Sequence, residues 1–161
     1  MASAFFRHPA PPEMVTELLS ILAENSHTVH SCVLWDGARD RYGYGIHYVV
    51  SDGKRIQLGV HRLAFFLVDP NRELNPILHV SHLCHNKLCI NVKHLSYESS
   101  SVNNARQTCR MNGECTGHRG FKRCRLDAVN IVELIVSRTL FTLFFWVCSM
   151  LKTVFSVLLT F

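Results

Sequence analysis

Cysteines and histidines at metal-ligand spacing form two groups in the middle of the chain. The first group is Cys84-x4-Cys89-x4-His94, and the second is Cys109-x5-Cys115-x2-His118-x5-Cys124. Thiolate and imidazole are the ligands that tetrahedral zinc prefers, and structural zinc sites fill all four positions with them. The second group is a complete Cys3His set, whereas the first lacks one thiolate. The pattern predicts two structural zinc sites.

The missing thiolate of the first group has two candidates. Outside both groups the sequence contains only Cys32 and Cys148, and Cys32 is favoured because it lies in the polar, turn-rich half of the chain. Disulfides are an alternative use of the cysteines, but their number, seven, is odd, and Met1 to Phe6 lacks the features of a secretion signal. Unligated buried thiols are a further alternative. Disulfides also do not explain the histidines at ligand spacing.

Composition explains why metal cross-links are needed. The 161-residue chain is 48% hydrophobic, but the apolar residues concentrate after Ile131, whereas residues 70–125 are polar. A polar segment buries little apolar area, so bound metal is the expected support for its fold. The formal net charge is only +5, yet six basic residues face a single acidic one, Glu114, between positions 106 and 125. This local excess suits a phosphate backbone, although a solvated basic surface is the alternative.

The elements that must position these ligands are short. Pro12 and the helical spacing of apolar residues predict an amphipathic helix over residues 13–24, followed by a polar linker to Ser31. Residues 42–60 resemble a β-hairpin with a turn at Asp52-Gly53. Residues 61–68 fit either a helix or a strand.

The ligand groups themselves fall on strands and turns. A strand is predicted over residues 78–83, a metal-fixed turn over 87–92, and a second strand after His94 that leads into a short helix ending near Arg106.

Two polar residues beside the ligand groups are not needed to bind zinc. His82 precedes Cys84 by two positions, and Asn103 follows His94 by nine. A histidine on a strand beside a metal-fixed loop can act as a general base. An amide oxygen is a hard, neutral ligand that suits Mg2+. From residue type alone, each is more often a hydrogen-bonded structural residue.

A resemblance to a known family changes that balance. The stretch Val80-Ser-His-Leu-Cys-His-Asn-Lys-Leu-Cys-Ile-Asn-Val-Lys-His-Leu, followed by Glu98-Ser and Asn103, resembles the His-Cys box homing endonucleases. These are zinc-bound members of the His-Me finger (ββα-metal) nuclease superfamily. The similarity covers residues 32–125 and includes Tyr42-Gly43-x-Gly45 and Val60-His61-Arg62. It implies an α+β, zinc-stabilised ββα-metal nuclease fold with an antiparallel β-hairpin region.

The resemblance also implies roles for individual residues. His82 would be the general base, Asn103 the ligand of one catalytic Mg2+, and Arg55 the contact to the scissile phosphate, with Lys54 and Arg41 as alternatives. Asn91 would brace the finger. The two structural zinc ions would be bound by Cys32, Cys84, Cys89 and His94, and by Cys109, Cys115, His118 and Cys124. The two residues between Cys115 and His118 are one more than in the family pattern, a difference that a loop can absorb.

The implied activity is hydrolysis of phosphodiester bonds in double-stranded DNA. A metal-dependent endonuclease of this type leaves 5′-phosphate and 3′-hydroxyl ends, and its hairpin, here residues 42–60, lies in the major groove. The alternative is a non-catalytic or decayed zinc-held DNA-binding module. The resemblance is compatible with a homodimer, and an intracellular location, nuclear in a eukaryote, is expected.

The C-terminal segment does not fit a nuclease. Residues 140–161 contain a single charge, Lys152, near their centre. Their length suffices to span a bilayer, but the central lysine and the lack of a basic residue after it make membrane association unfavoured. A tail from an altered reading frame or retained intron, a tail anchor and an arm that packs on a partner subunit remain alternatives. The predicted division is a helix and linker over 1–31, a nuclease domain over 32–125, and an apolar helical tail over 126–161.

Overall fold

A computed structural model describes residues 2–51 and 53–126 of the chain. The predicted apolar tail from residue 127 onwards, and Asp52 of the predicted hairpin turn, lie outside the described residues. In chain order the helices are α1 (Ala2–Phe5), α2 (Pro12–Glu24), α3 (Val60–Leu67) and α4 (Ser100–Asn112), with a 3-10 turn at Val92–His94. The strands are β1 (Ser26–Val29), β2 (Cys32–Trp35), β3 (Ile46–Ser51), β4 (Lys54–Gly59), β5 (His79–His82) and β6 (Leu95–Glu98).

The strands of the described residues form three antiparallel hairpins rather than one continuous sheet: β1 pairs with β2, β3 with β4, and β5 with β6. The predicted hairpin around residue 53 is β3–β4, in which Val50 lies opposite Arg55. Residues 26–29, which the sequence assigns to a polar linker, instead form strand β1. Their side chains are mostly exposed, so the sequence lacks the alternation that marks a half-buried strand.

Helix α2 begins with Pro12, whose fixed φ suits the first helical position, and buries Leu18 and Leu22. The ambiguous segment after β4 is helix α3, which buries Val60, Leu63, Ala64, Phe66 and Leu67. That spacing places one apolar face towards the interior. Both helices contribute to a core that also contains Phe6, Leu58 and Leu95, so residues on both sides of position 31 share it.

The last hairpin and helix form a ββα unit. In β5–β6, Ser81 lies opposite Ser96 and His82 opposite Leu95. Helix α4 begins after Ser99, whose hydroxyl accepts a hydrogen bond from the Val102 amide, and it ends at Gly113, whose φ of 70° favours glycine. The helix therefore continues beyond the predicted end near Arg106 and carries Cys109.

No helix in residues 2–51 and 53–126 has both the length and the apolar character that a membrane span requires.

Candidate metal centres and active site

The first Cys3His site is buried in the middle of the protein. Cys32, Cys84, Cys89 and His94 are each no more than 4% exposed. The Nδ1 atom of His94 lies 3.5 Å from the sulfurs of both Cys32 and Cys89. All four ligand atoms lie within 4.8 Å of one another. The distant Cys32 therefore joins the other three ligands.

Strand β2 carries Cys32 to the loop that holds the other ligands. The amide of Trp35 donates to the Leu88 carbonyl at 3.0 Å, and the amide of Ile90 donates to the Val33 carbonyl at 2.8 Å. The loop between the two cysteines is shaped by Asn86, whose side-chain oxygen accepts from the Leu88 amide at 3.0 Å. These backbone contacts place Cys89 beside β2.

Asn91 lies at the junction of the same segments. Its side-chain Nδ2 donates to the Ser31 carbonyl at 2.7 Å, and its side-chain Oδ1 accepts from the backbone amide of Lys93 at 3.0 Å. The second bond caps the 3-10 turn that ends in His94. A single side chain thus ties the entry of β2 to the turn that carries the histidine ligand.

The second Cys3His site lies at the end of α4 and is more exposed. Nε2 of His118 lies 3.6 Å from the Cys109 sulfur, 3.5 Å from that of Cys115 and 3.4 Å from that of Cys124. Only Cys109 is buried, and the other three ligands are partly exposed. Gly117, directly before His118, has a φ of 110°, a backbone conformation that favours glycine.

Both sites fit zinc by their donor chemistry and their spacing. Zinc–sulfur and zinc–nitrogen bonds of about 2.3 and 2.05 Å at a tetrahedral angle separate sulfur from nitrogen by about 3.6 Å. The sulfur–nitrogen distances in both sites lie between 3.4 and 3.6 Å. Each site offers three soft thiolates and one imidazole, which favours zinc over Mg2+ or Ca2+.

Burial of the thiols is a further reason to expect a bound cation at each site. Burial raises the pKa of Cys32, and burial likewise raises the pKa of Cys124. In contrast, a hydrogen bond from the Cys84 thiol lowers the pKa of Cys89. Burial therefore opposes ionisation of a thiol in each site, and a bound divalent ion would supply the compensating charge.

His82 sits at the end of β5 with its ring orientation fixed. Its Nε2 donates to the backbone carbonyl of Cys89 at 3.0 Å, which leaves Nδ1 as the unprotonated acceptor. Burial lowers the pKa of His82 to about 4, so the ring is neutral near pH 7. The carbonyl that orients the His82 ring thus belongs to Cys89, a ligand of the first metal site.

A polar cavity of about 660 Å³ brings His82 and Asn103 together. Asn103 reaches it from α4, whereas the neighbouring Asn104 is exposed and does not line it. The lining carries positive charge from Arg62, Lys87 and Arg110, with Asp40 as its acidic residue. Its other lining residues are Tyr44, Ile46, Gln57, Gly59, His61, His79, Val80, Ser81, His85 and Gln107.

Arg55, the predicted contact to the scissile phosphate, does not line this cavity. It lies on β4, where its guanidinium stacks over the Tyr48 ring at 3.9 Å. Arg62 does line the cavity, and its Nη1 donates to the Leu78 carbonyl at 3.2 Å. Sequence reasoning assigned Arg62 no role, although it belongs to the Val60-His61-Arg62 segment of the resemblance.

A second histidine in the cavity was also missed. His61 packs against His82, with ring centroids 4.7 Å apart, and Tyr44 stacks on the His82 ring at 6.1 Å. The Nδ1 atom of His61 is buried without a hydrogen-bond partner among the described residues. Burial lowers the pKa of His61 well below its ordinary value, so two neutral imidazoles face each other.

The fold and the two metal sites define a small α+β protein built around a zinc-stabilised ββα finger. A family model described as the zinc-binding loop region of homing endonuclease matches residues 28–134, about two-thirds of the chain. The chain belongs to this His-Me finger homing endonuclease family, and both Cys3His sites are zinc-binding sites. No curated protein and no solved structure matches the chain.

Proposed function

We propose that this protein is a Mg2+-dependent endonuclease that hydrolyses phosphodiester bonds in double-stranded DNA. The observation that carries the proposal is the shared cavity of His82 and Asn103, because neither residue belongs to a zinc site. A module that only binds DNA needs neither a neutral, oriented imidazole nor an amide side chain in the same polar cavity. The family membership supports nuclease activity in general.

His82 would act as the general base. Its unprotonated Nδ1 would accept a proton from a water molecule while Nε2 keeps its bond to the Cys89 carbonyl. The water oxygen would then attack phosphorus in line with the 3′ oxygen, the bond from phosphorus to that oxygen would break, and a proton would pass to the leaving oxygen. The products would carry 5′-phosphate and 3′-hydroxyl ends.

Asn103 would hold the divalent ion. Mg2+ binds through few protein oxygens and keeps several waters, so one amide oxygen in a roomy, polar cavity fits its requirements. An ion held there would supply charge neutralisation at the phosphate and at the departing oxygen. Asp40 is a further oxygen donor in the lining of the same cavity.

The positive residues of the cavity would hold the DNA backbone. Arg62, Lys87 and Arg110 come from three separate segments, and their charges suit phosphates on either side of the cut. Arg55 would contact DNA along the β3–β4 hairpin. A two-stranded ribbon fits the major groove, and Gln57 of this hairpin also lines the cavity.

The test is cleavage of supercoiled plasmid with and without Mg2+. We expect His82→Ala to lower the cleavage rate by about 10²–10⁴-fold, because a general base contributes that much. Its zinc content and DNA affinity should remain close to those of the unaltered protein. His8→Ala, at an exposed position in the N-terminal segment, is the matched histidine control.

A second pair of variants separates metal binding from structure. Asn103→Ala should raise the Mg2+ concentration needed for half-maximal cleavage, whereas the exposed neighbour Asn104→Ala should not. If the unaltered protein binds DNA but never cuts it under any divalent ion, the alternative of a decayed zinc-held DNA-binding module takes the place of this proposal. A homodimer also remains a prediction, which sedimentation of the full chain tests.

A further inference from the structure

Arg106 is a buried arginine on α4 to which neither the zinc ligands nor the proposed mechanism assigns a task. Its side chain is 1% exposed, and that of its partner Glu98 is 0% exposed. Nε and Nη2 of the guanidinium donate to the two carboxylate oxygens of Glu98, each at 2.7 Å. This bidentate pair joins the last residue of β6 to the middle of α4.

The third nitrogen of the guanidinium faces the second zinc site. Nη1 donates to the Lys122 carbonyl at 2.9 Å and to the Cys124 sulfur at 3.6 Å. Cys124 is a ligand of that site. No other guanidinium in residues 2–51 and 53–126 hydrogen-bonds to a ligand sulfur, so the contact is particular to the second site.

We infer that Arg106 is a positioning residue of the second zinc site, which locks the Cys124 thiolate and the loop around it to the ββα finger. A zinc ion with three thiolates and a neutral histidine carries a net negative charge, which a neighbouring guanidinium compensates. Hydrogen bonds to metal ligands orient them and tune the metal site. The planar fork of arginine can serve carboxylate, carbonyl and sulfur together, which the single ammonium of lysine cannot.

The position of Arg106 along α4 gives this contact a wider role. Asn103 precedes it by three residues and Cys109 follows it by three. The same helix therefore presents a residue to the cavity, an arginine to the core and a ligand to zinc. The ion pair with Glu98 holds α4 against β6. It therefore sets the distance and the angle between β5–β6 and the loop that carries Cys115, His118 and Cys124. The inference concerns zinc and holds whether or not the chain cleaves DNA.

The direct test compares zinc retention at the two sites. Single loss of Arg106 would leave Glu98 buried without a partner and could unfold the finger, so the main variant is the double substitution Glu98→Leu/Arg106→Met, which removes both charges. The full chain, loaded with zinc, is mixed with a chelator and a thiol-alkylating reagent. Peptide mass spectrometry then gives a labelling rate for each cysteine.

We expect about 10–100-fold faster labelling of Cys109, Cys115 and Cys124, the size of effect usual for losing a partner of a metal ligand. Cys32, Cys84 and Cys89 should label at the unaltered rate and serve as an internal control. Arg110→Met is the matched control because Arg110 lies one turn further along α4, is exposed, and donates no side-chain hydrogen bond to a zinc ligand within the described residues.

A spectroscopic measurement gives a second, independent readout. With Co2+ in place of zinc, the thiolate-to-cobalt absorption of the double variant and of Arg106→Lys should shift, whereas that of Arg110→Met should not. Unchanged labelling of the second-site cysteines in the double variant would overturn the inference. Equal acceleration at both sites would also overturn it, because it would show general loss of stability instead of a role at one site.

Discussion

The two zinc sites use the same ligand set but are built in different ways. The first joins Cys32 to His94 across 62 positions and is buried on all sides, whereas the second is contained within residues 109–124 and is partly exposed. Closing the longer loop costs only about 1.2 kcal/mol more than closing the shorter one. The difference between the sites therefore comes from what surrounds them. The first holds strands and loops of the core together, and the second shapes one peripheral loop.

Removing the first site should have the largest effect. Cys32→Ser leaves three ligands and a buried hydroxyl, and since zinc binding in small domains supplies about 10–16 kcal/mol, its loss exceeds the usual stability of a domain. We expect loss of one zinc and unfolding of the region from β2 to α4. Elemental analysis and far-UV circular dichroism measure the two effects. A folded Cys32→Ser protein that retains two zinc ions would show that three ligands suffice.

Removing the second site should have a smaller and local effect. Cys115→Ser should release the second zinc and expose the backbone of residues 109–126 while β5, β6 and the first site stay folded. Hydrogen exchange followed by mass spectrometry distinguishes these regions. Loss of protection that spreads to β2 would contradict the comparison, since it would mean that the second site also supports the core.

The smallest predicted difference concerns the side chains that hold each metal loop in place. Asn91→Ala removes two hydrogen bonds beside the first site, and we expect it to lower the free energy of unfolding by about 1–3 kcal/mol. Arg123→Ala removes the exposed bond from Arg123 Nη2 to the Cys115 carbonyl at 2.9 Å, and we expect a loss below about 1 kcal/mol. Urea titration of the zinc-loaded proteins measures both values. Equal losses of unfolding free energy in the two variants would contradict the expected difference between the two sites.

The zinc ligands could be predicted from the sequence because their chemistry is specific and most of them are close in sequence. Cys32 was harder, since composition only favoured it over Cys148, and the pairing of β2 with the loop around Cys89 is not visible in the sequence. Strand β1 was missed because its side chains are mostly exposed. The end of α4 was placed too early, although Gly113 was the available stop signal.

The cavity could be predicted only in part. His82 and Asn103 stood out because each lies near a group of zinc ligands in the sequence and neither is needed to bind zinc. His61 and Arg62 come from α3 and Lys87 from the loop between Cys84 and Cys89, and whether these side chains meet His82 depends on how α3 packs against β5 and that loop. Spacing along the chain carries no information about that packing. Arg55 shows the same limit, because its place on the hairpin follows from the sequence and its distance from the cavity does not.

The hydrogen bond from His82 to the Cys89 carbonyl has a consequence for how this site tolerates change. Every amino acid has a backbone carbonyl, so no substitution at position 89 can delete the acceptor, although most would remove the zinc ligand. The number of residues between 82 and 89 helps to set where that carbonyl lies relative to His82. One inserted residue could displace it by up to about 3.6 Å, more than the length of the bond. The orientation of His82 therefore depends on the length of the loop between residues 82 and 89. Insertions and deletions in that loop, rather than point mutations, would alter it.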